Sequence, residues 1–158
     1  MYISCLLGLL LILSYCIVVS VKYKEIPNSI SQIVYMLPNK WRWTFTVVMF
    51  LSAAMILPQL AIIAGEKYAI LAYLTVAGII GVGVDPLVSG EKNIIHYVSA
   101  IVMGTSSQLL AYFLNPYVFM TWIPYVIYTM YMDNGKKNMF FAEIVMLTII
   151  GILCLYVR

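Results

Sequence analysis

An ionisable side chain inside an apolar run is the first place to look for chemistry. Such a group is costly in hydrocarbon and persists where it is used or paired. Glu143 is the strongest case, lying a little over one turn into the run Met139–Val157, after Phe140 and Phe141. A carboxyl there would serve as a proton or ligand site. Its other role is an ion pair or hydrogen bond near the membrane interface, with Lys92, Arg42 or His96 as partner. Its place near the run's end favours that structural role. His96, the single histidine, opens the run Ile94–Leu114 and shares a helical face with Ser99, Met103 and Ser107. Imidazole titrates near neutrality and can act as base or sensor. Satisfying a buried hydrogen bond is the plainer role, and the favoured one.

Asp85, Glu91 and Lys92 fall together in the segment Gly83–Lys92, while Ser29 and Ser31 stand in the first polar loop. With His96 and Asp85, either serine makes a nominal nucleophile–base–acid set. Neither sits in a nucleophile elbow, which weighs against that chemistry. Deeper in the runs, Gln59 and the Thr105–Gln108 stretch would line a polar path or bond neighbouring helices, and the second is favoured. One histidine and three apolar cysteines leave no tetrahedral zinc set. No glycine-rich phosphate loop is present either. No metal or cofactor is expected.

The elements that must position these groups are six apolar runs: Tyr2–Val21, Trp43–Ala64, Tyr68–Val84, Ile94–Leu114, Tyr117–Met132 and Met139–Val157. The chain has 158 residues, of which 64% are hydrophobic and only 9% charged. Soluble domains carry about a quarter charged residues, so the bilayer has to be the solvent here. Crossing it takes about 20 apolar residues in a helix. Barrel strands would alternate apolar and polar positions, which these runs do not. The expected fold is an all-α integral membrane protein of one domain, with six transmembrane helices in one bundle. Run five is short enough to be re-entrant instead. Run one lacks a basic n-region and a small-residue cleavage site, so it reads as a retained helix.

Seven of the nine Lys and Arg residues fall in odd-numbered loops, against Lys67 and Arg158 on the other side. The positive-inside rule then puts those loops in the cytoplasm and both termini outside, in a bacterial inner membrane. The net charge of +3 is a topology signal and not a nucleic-acid footprint. Between Pro27 and Pro38, the apolar residues Ile30, Ile33, Val34 and Leu37 recur at helical spacing. They predict either a short amphipathic helix on the inner leaflet or an ordinary packed loop. Pro58 and Pro124 should kink runs two and five. Ala61/Gly65, Ala77/Gly81 and Ala100/Gly104 are small pairs suited to helix contacts. Cys5, Cys16 and Cys154 are expected to be buried free thiols, with a Cys5–Cys154 bond as the alternative.

Several stretches carry a resemblance: Ile26–Ser31 with Tyr35 and Trp41–Trp43, Asp85-Pro86, Gly90–Lys92, His96–Ala100 and Ala142-Glu143. Together they look like a group of small six-helix membrane proteins of gut anaerobes and their phages. More distantly, the His96 region is similar to the Frag/DRAM-like superfamily. The resemblance implies a six-helix bundle and lipid-linked work, and it supplies no catalytic residues. The expected function is non-enzymatic: binding of a lipid headgroup or membrane partner at a cytoplasmic-side cluster of His96, Glu143, Asp85, Glu91, Lys92, Ser29 and Ser31. A small oligomeric transporter or pore and a membrane lipid hydrolase are the alternatives. Expected partners are membrane lipids, a second copy of the chain or another membrane protein.

Overall fold

With few polar side chains to bond to, the backbone of each apolar run must satisfy its own N–H and C=O groups, and the helical ladder does so. The computed structural model describes residues 2–88, 94–131 and 138–156. Among these, all regular structure is helical. Helix α1 spans Tyr2–Tyr23, α2 is the single turn Ile33–Met36, and α3 runs from Trp43 to Val88. Then come α4 (Ile94–Leu114), α5 (Trp122–Tyr131) and α6 (Asn138–Tyr156). Short 3-10 segments, Asn39–Trp41 and Pro116–Thr121, precede α3 and α5. Three stretches are long and apolar enough to cross a membrane: Ile3–Tyr23, Asn39–Val88 and Ile94–Leu114. Met139–Leu155 is a shorter apolar helix.

Helix α3 is two helices folded against each other. At Gly65 the backbone takes φ 58° and ψ −176°, a region nearly confined to glycine. The two arms then run back along one another. Thr46 Oγ1 donates to the carbonyl of Gly83 at 2.7 Å, and a Cβ on Gly83 would lie 2.6 Å from Met49 Cβ. Gly65 is therefore the turn, not the helix-contact residue that its spacing from Ala61 predicted. No neighbour lies within 4 Å of a Cβ built there, so backbone conformation alone resists replacement. Gly65→Ala should lower stability by about 1–3 kcal/mol. Thermal unfolding in detergent checks this, and an unchanged midpoint would mean the turn accepts a side chain.

The other two small pairs do different jobs. Gly78 and Gly81 bring the second arm of α3 onto α4, where Cβ atoms would run into Ser99 and Met103. Gly104 instead faces Met146 of α6 at ordinary contact distance. Thr75 Oγ1 and Ser106 Oγ, 2.9 Å apart, add a polar tie along the α3–α4 seam. On α1, the stripe Cys5, Leu9, Ile12, Cys16 and Val19 is buried, while Ile3, Leu7, Leu10, Ile17 and Val18 are exposed. That stripe has helical period. The apolar surface left outside it suits a hydrocarbon solvent.

Three expectations are corrected. Run five is not one helix: Asn115 caps a 3-10 stretch by accepting from the Tyr117 N–H, and α5 begins only at Trp122. Pro124 consequently sits in the first turn of α5, where a missing N–H leaves no bond broken. Pro58 stands inside the first arm of α3 as expected, with helical φ/ψ around it. Cys5 and Cys154 are not free thiols but a disulfide, with Cα atoms 6.7 Å apart. They meet because α1 and α6 pack side by side, an adjacency that no count of cysteines reveals. Cys16 stays free and buried.

Candidate functional site

The first loop folds into the bundle instead of lying on a surface. Ile30, Ile33 and Val34 are buried in the main core, and the helix they form is only the α2 turn. The packed-loop alternative thus replaces the interfacial helix, because three apolar side chains gain more from the core than one turn of helix can gain from a leaflet. Ahead of α2 the polar residues build a tight turn. The Gln32 N–H donates to Ser29 Oγ at 3.2 Å, and the Asn28 N–H donates to Gln32 Oε1. This turn presents Ser29 and Ser31 toward the start of α4.

There Ser31 Oγ lies 3.1 Å from His96 Nε2, and Ser29 Oγ lies 2.9 Å from Ser31 Oγ. Asp85, near the C-terminal end of α3, is buried and accepts from the His96 backbone N–H at 3.1 Å. A carboxylate suits that place, since the first N–H groups of a helix have no intrahelical acceptor and carry partial positive charge. Glu143, buried on α6, accepts from the Ile30 N–H. Groups from the first loop, α3, α4 and α6 therefore meet at one end of the bundle. Glu91 and Lys92, also expected in this cluster, lie outside the described residues.

The partners differ from those expected. Glu143 binds the loop backbone, and among the described residues neither Arg42 nor His96 is its partner; Lys92 lies outside them. The guanidinium of Arg42 instead stands 5.3 Å from the Tyr35 ring centroid. The His96 ring makes the hydrogen bond expected of it, to Ser31, and both residues line one cavity. Ser99 and Ser107, which spacing placed with His96, belong elsewhere. Ser99 packs beneath Gly78 and Gly81, and the Ser107 hydroxyl donates to the Gly104 carbonyl.

A cavity of about 700 Å³ joins these groups. Ser29, Ser31, Asp85, His96 and Glu143 line it, as do Val82, Ala100, Met103, Gly104, Met146 and Gln108. From His96 to Gln108 it follows one face of α4 for twelve residues, about 18 Å at the helical rise. One end is thus polar and the middle apolar. At the far end Gln108 Oε1 accepts from Trp122 Nε1 at 3.1 Å, while its buried Nε2 has no hydrogen-bond partner among the described residues. Gln59 is buried but does not line this cavity, so the two glutamines do not form one path. Among the described residues no group of three His, Cys, Asp or Glu is placed to hold a metal ion. Gln108, read from sequence as lining a path or bonding a neighbouring helix, does both, whereas Gln32 is a polar lining residue that residue type did not pick out.

Compared with protein-family models, with curated proteins and with solved structures, the chain has no match.

Proposed function

We propose that this chain is a six-span bundle of a bacterial inner membrane, both termini outside, that binds an amphiphile through its cytoplasmic-side cavity. The cavity's change of polarity along its length carries this reading. Hydroxyls, carboxylates and an imidazole at one end suit a lipid headgroup, and the apolar face of α4 suits the attached chain. The seven-to-two charge bias supports setting the polar end at the inner interface. The Cys5–Cys154 bond lies at the opposite end, which matches an oxidising outer compartment. The 3-10 stretch and α5 together measure about 27 Å if laid in line, near the thickness of the hydrocarbon.

Native mass spectrometry of the protein released from lipid nanodiscs tests the proposal. The parent should retain lipid, or rebind an added lysophospholipid after delipidation. Ala100→Phe, which fills the middle of the cavity, should reduce that binding at least tenfold while thermal stability holds. A parent that retains and rebinds nothing would sink the reading. The same spectra report whether a second copy of the chain accompanies the protein.

A further inference from the structure

We infer that Ser31 and His96 are a nucleophile and its general base, and that the site cleaves the carboxylic ester of a long-chain lipid held in the cavity. The inference rests on the amphiphile-binding reading above and adds a reaction to it. Its basis is a hydrogen-bond chain with one consistent direction. Ser29 Oγ accepts from the Gln32 backbone N–H, and in the direction inferred here it gives its own hydrogen to Ser31 Oγ, 2.9 Å away. Ser31 then has its own hydrogen to donate to His96 Nε2 at 3.1 Å. A hydroxyl that receives one hydrogen bond and gives another to an imidazole is polarised for attack.

The surroundings fit ester cleavage. Ser31 is buried except where it meets the cavity, so a substrate reaches it with its chain along α4 and its headgroup at the polar end. The Asp85 carboxylate, held by the His96 backbone N–H, puts negative charge beside the ring that becomes cationic. Gln32 lines the same cavity. Its Oε1 is occupied by the Asn28 N–H, which leaves its amide nitrogen as the group Gln32 has to offer a carbonyl oxygen gaining charge.

The steps balance. Ser31 Oγ bonds to the ester carbonyl carbon as its proton passes to His96 Nε2. The carbon–alkoxy bond then breaks, and the leaving alcohol takes that proton. Water, the only co-reactant, attacks the acyl-serine and gives its proton to Nε2. Ser31 leaves, recovers the proton, and the fatty acid is released.

The test uses the full chain in detergent micelles, with a dodecyl fluorophosphonate as covalent probe and p-nitrophenyl laurate as substrate. Binding of a non-hydrolysable ether lysophospholipid is measured in parallel. The parent should form one adduct, mapped to Ser31, and release nitrophenol. Ser31→Ala should abolish both, and His96→Gln should slow both at least a hundredfold. Ser29→Ala should slow them less, by about tenfold, because it removes polarisation and not the base. All three variants should bind the ether lipid more weakly than the parent, by up to about tenfold, yet measurably, because the apolar face of α4 still holds the chain. His96→Asn replaces His96→Gln if that variant loses ether-lipid binding. An unlabelled parent that binds the ether lipid would overturn the reaction and leave the binding reading standing. A parent that binds no ether lipid would overturn both. An adduct at Ser29, or labelling indifferent to His96, would also overturn the assignment.

Discussion

Gly78→Leu should lower stability by more than about 3 kcal/mol, the largest loss expected of any single substitution in this chain. A Cβ at Gly78 would stand 2.6 Å from Met103 Cβ and 2.7 Å from both the Met103 nitrogen and the Ser99 carbonyl oxygen. Two of those atoms are helix backbone and cannot swing aside, so α4 must move away from the second arm of α3. Overpacking of a close contact costs about 1–3 kcal/mol where neighbours can adjust. Here the displaced element is a whole helix. The same movement would separate Thr75 from Ser106 and widen the cavity wall between Val82 and Met103. Gly104→Ala is the control, because its Cβ would meet only the flexible Met146 tip at 3.4 Å and beyond. Size-exclusion chromatography and thermal unfolding in detergent decide it. A Gly78→Leu protein as stable as the Gly104→Ala control would show that the seam is not tight.

Glu143→Leu should lower stability by about 1–3 kcal/mol, because it strands the Ile30 N–H in a buried setting. Glu143→Gln should unfold close to the parent, since its amide oxygen can still accept from that N–H. The two variants are close in volume, so their difference isolates the hydrogen bond. The leucine variant should also bind amphiphiles more weakly. Ile30 is the residue between Ser29 and Ser31, and releasing its backbone loosens both hydroxyls. Thermal unfolding with lipid-binding measurements on each variant checks this. Equal midpoints for leucine and glutamine would remove Glu143 from any role in holding the first loop.

Apolar length alone made most of the helical framework legible. The expected start of run two at Trp43, and both limits of run four at Ile94 and Leu114, coincide with helix limits. These segments are set by how long the backbone can go without a polar neighbour. The fifth segment was not legible, because Asn115 and Pro116 favour a 3-10 start that apolar composition does not register. Gly65 was misread since spacing from Ala61 says nothing of the sign of φ. In the site, residue type was enough to single out Ser31, His96, Asp85 and Glu143 as polar groups near one end. It was not enough to pair them. Pairing by charge looked for Lys or Arg opposite Glu143, whereas the acceptor was used on a backbone N–H, which every residue but proline carries and no pattern of side chains marks. The role of the first loop hinged on whether Ile30, Ile33 and Val34 face core or leaflet. That depends on the space between α1, α3 and α6, a tertiary quantity.

The Cys5–Cys154 bond closes nearly the whole chain into a covalent ring, the two cysteines being 149 positions apart. Synthesis runs from the N-terminus, so Cys154 is made after the other five helices and α6 is the last of the six to join them. The ring therefore cannot help the earlier helices find one another. The α3 hairpin and its glycine seam with α4 must already hold when α6 arrives. What the bond adds is a latch. It shuts only on a chain whose α1 and α6 have packed together with Cys5 and Cys154 at the same end, and it stays open on one in which α6 is missing or reversed. Oxidation at that end thus keeps a chemical record of completed assembly, written far from the cavity and independent of whatever occupies it.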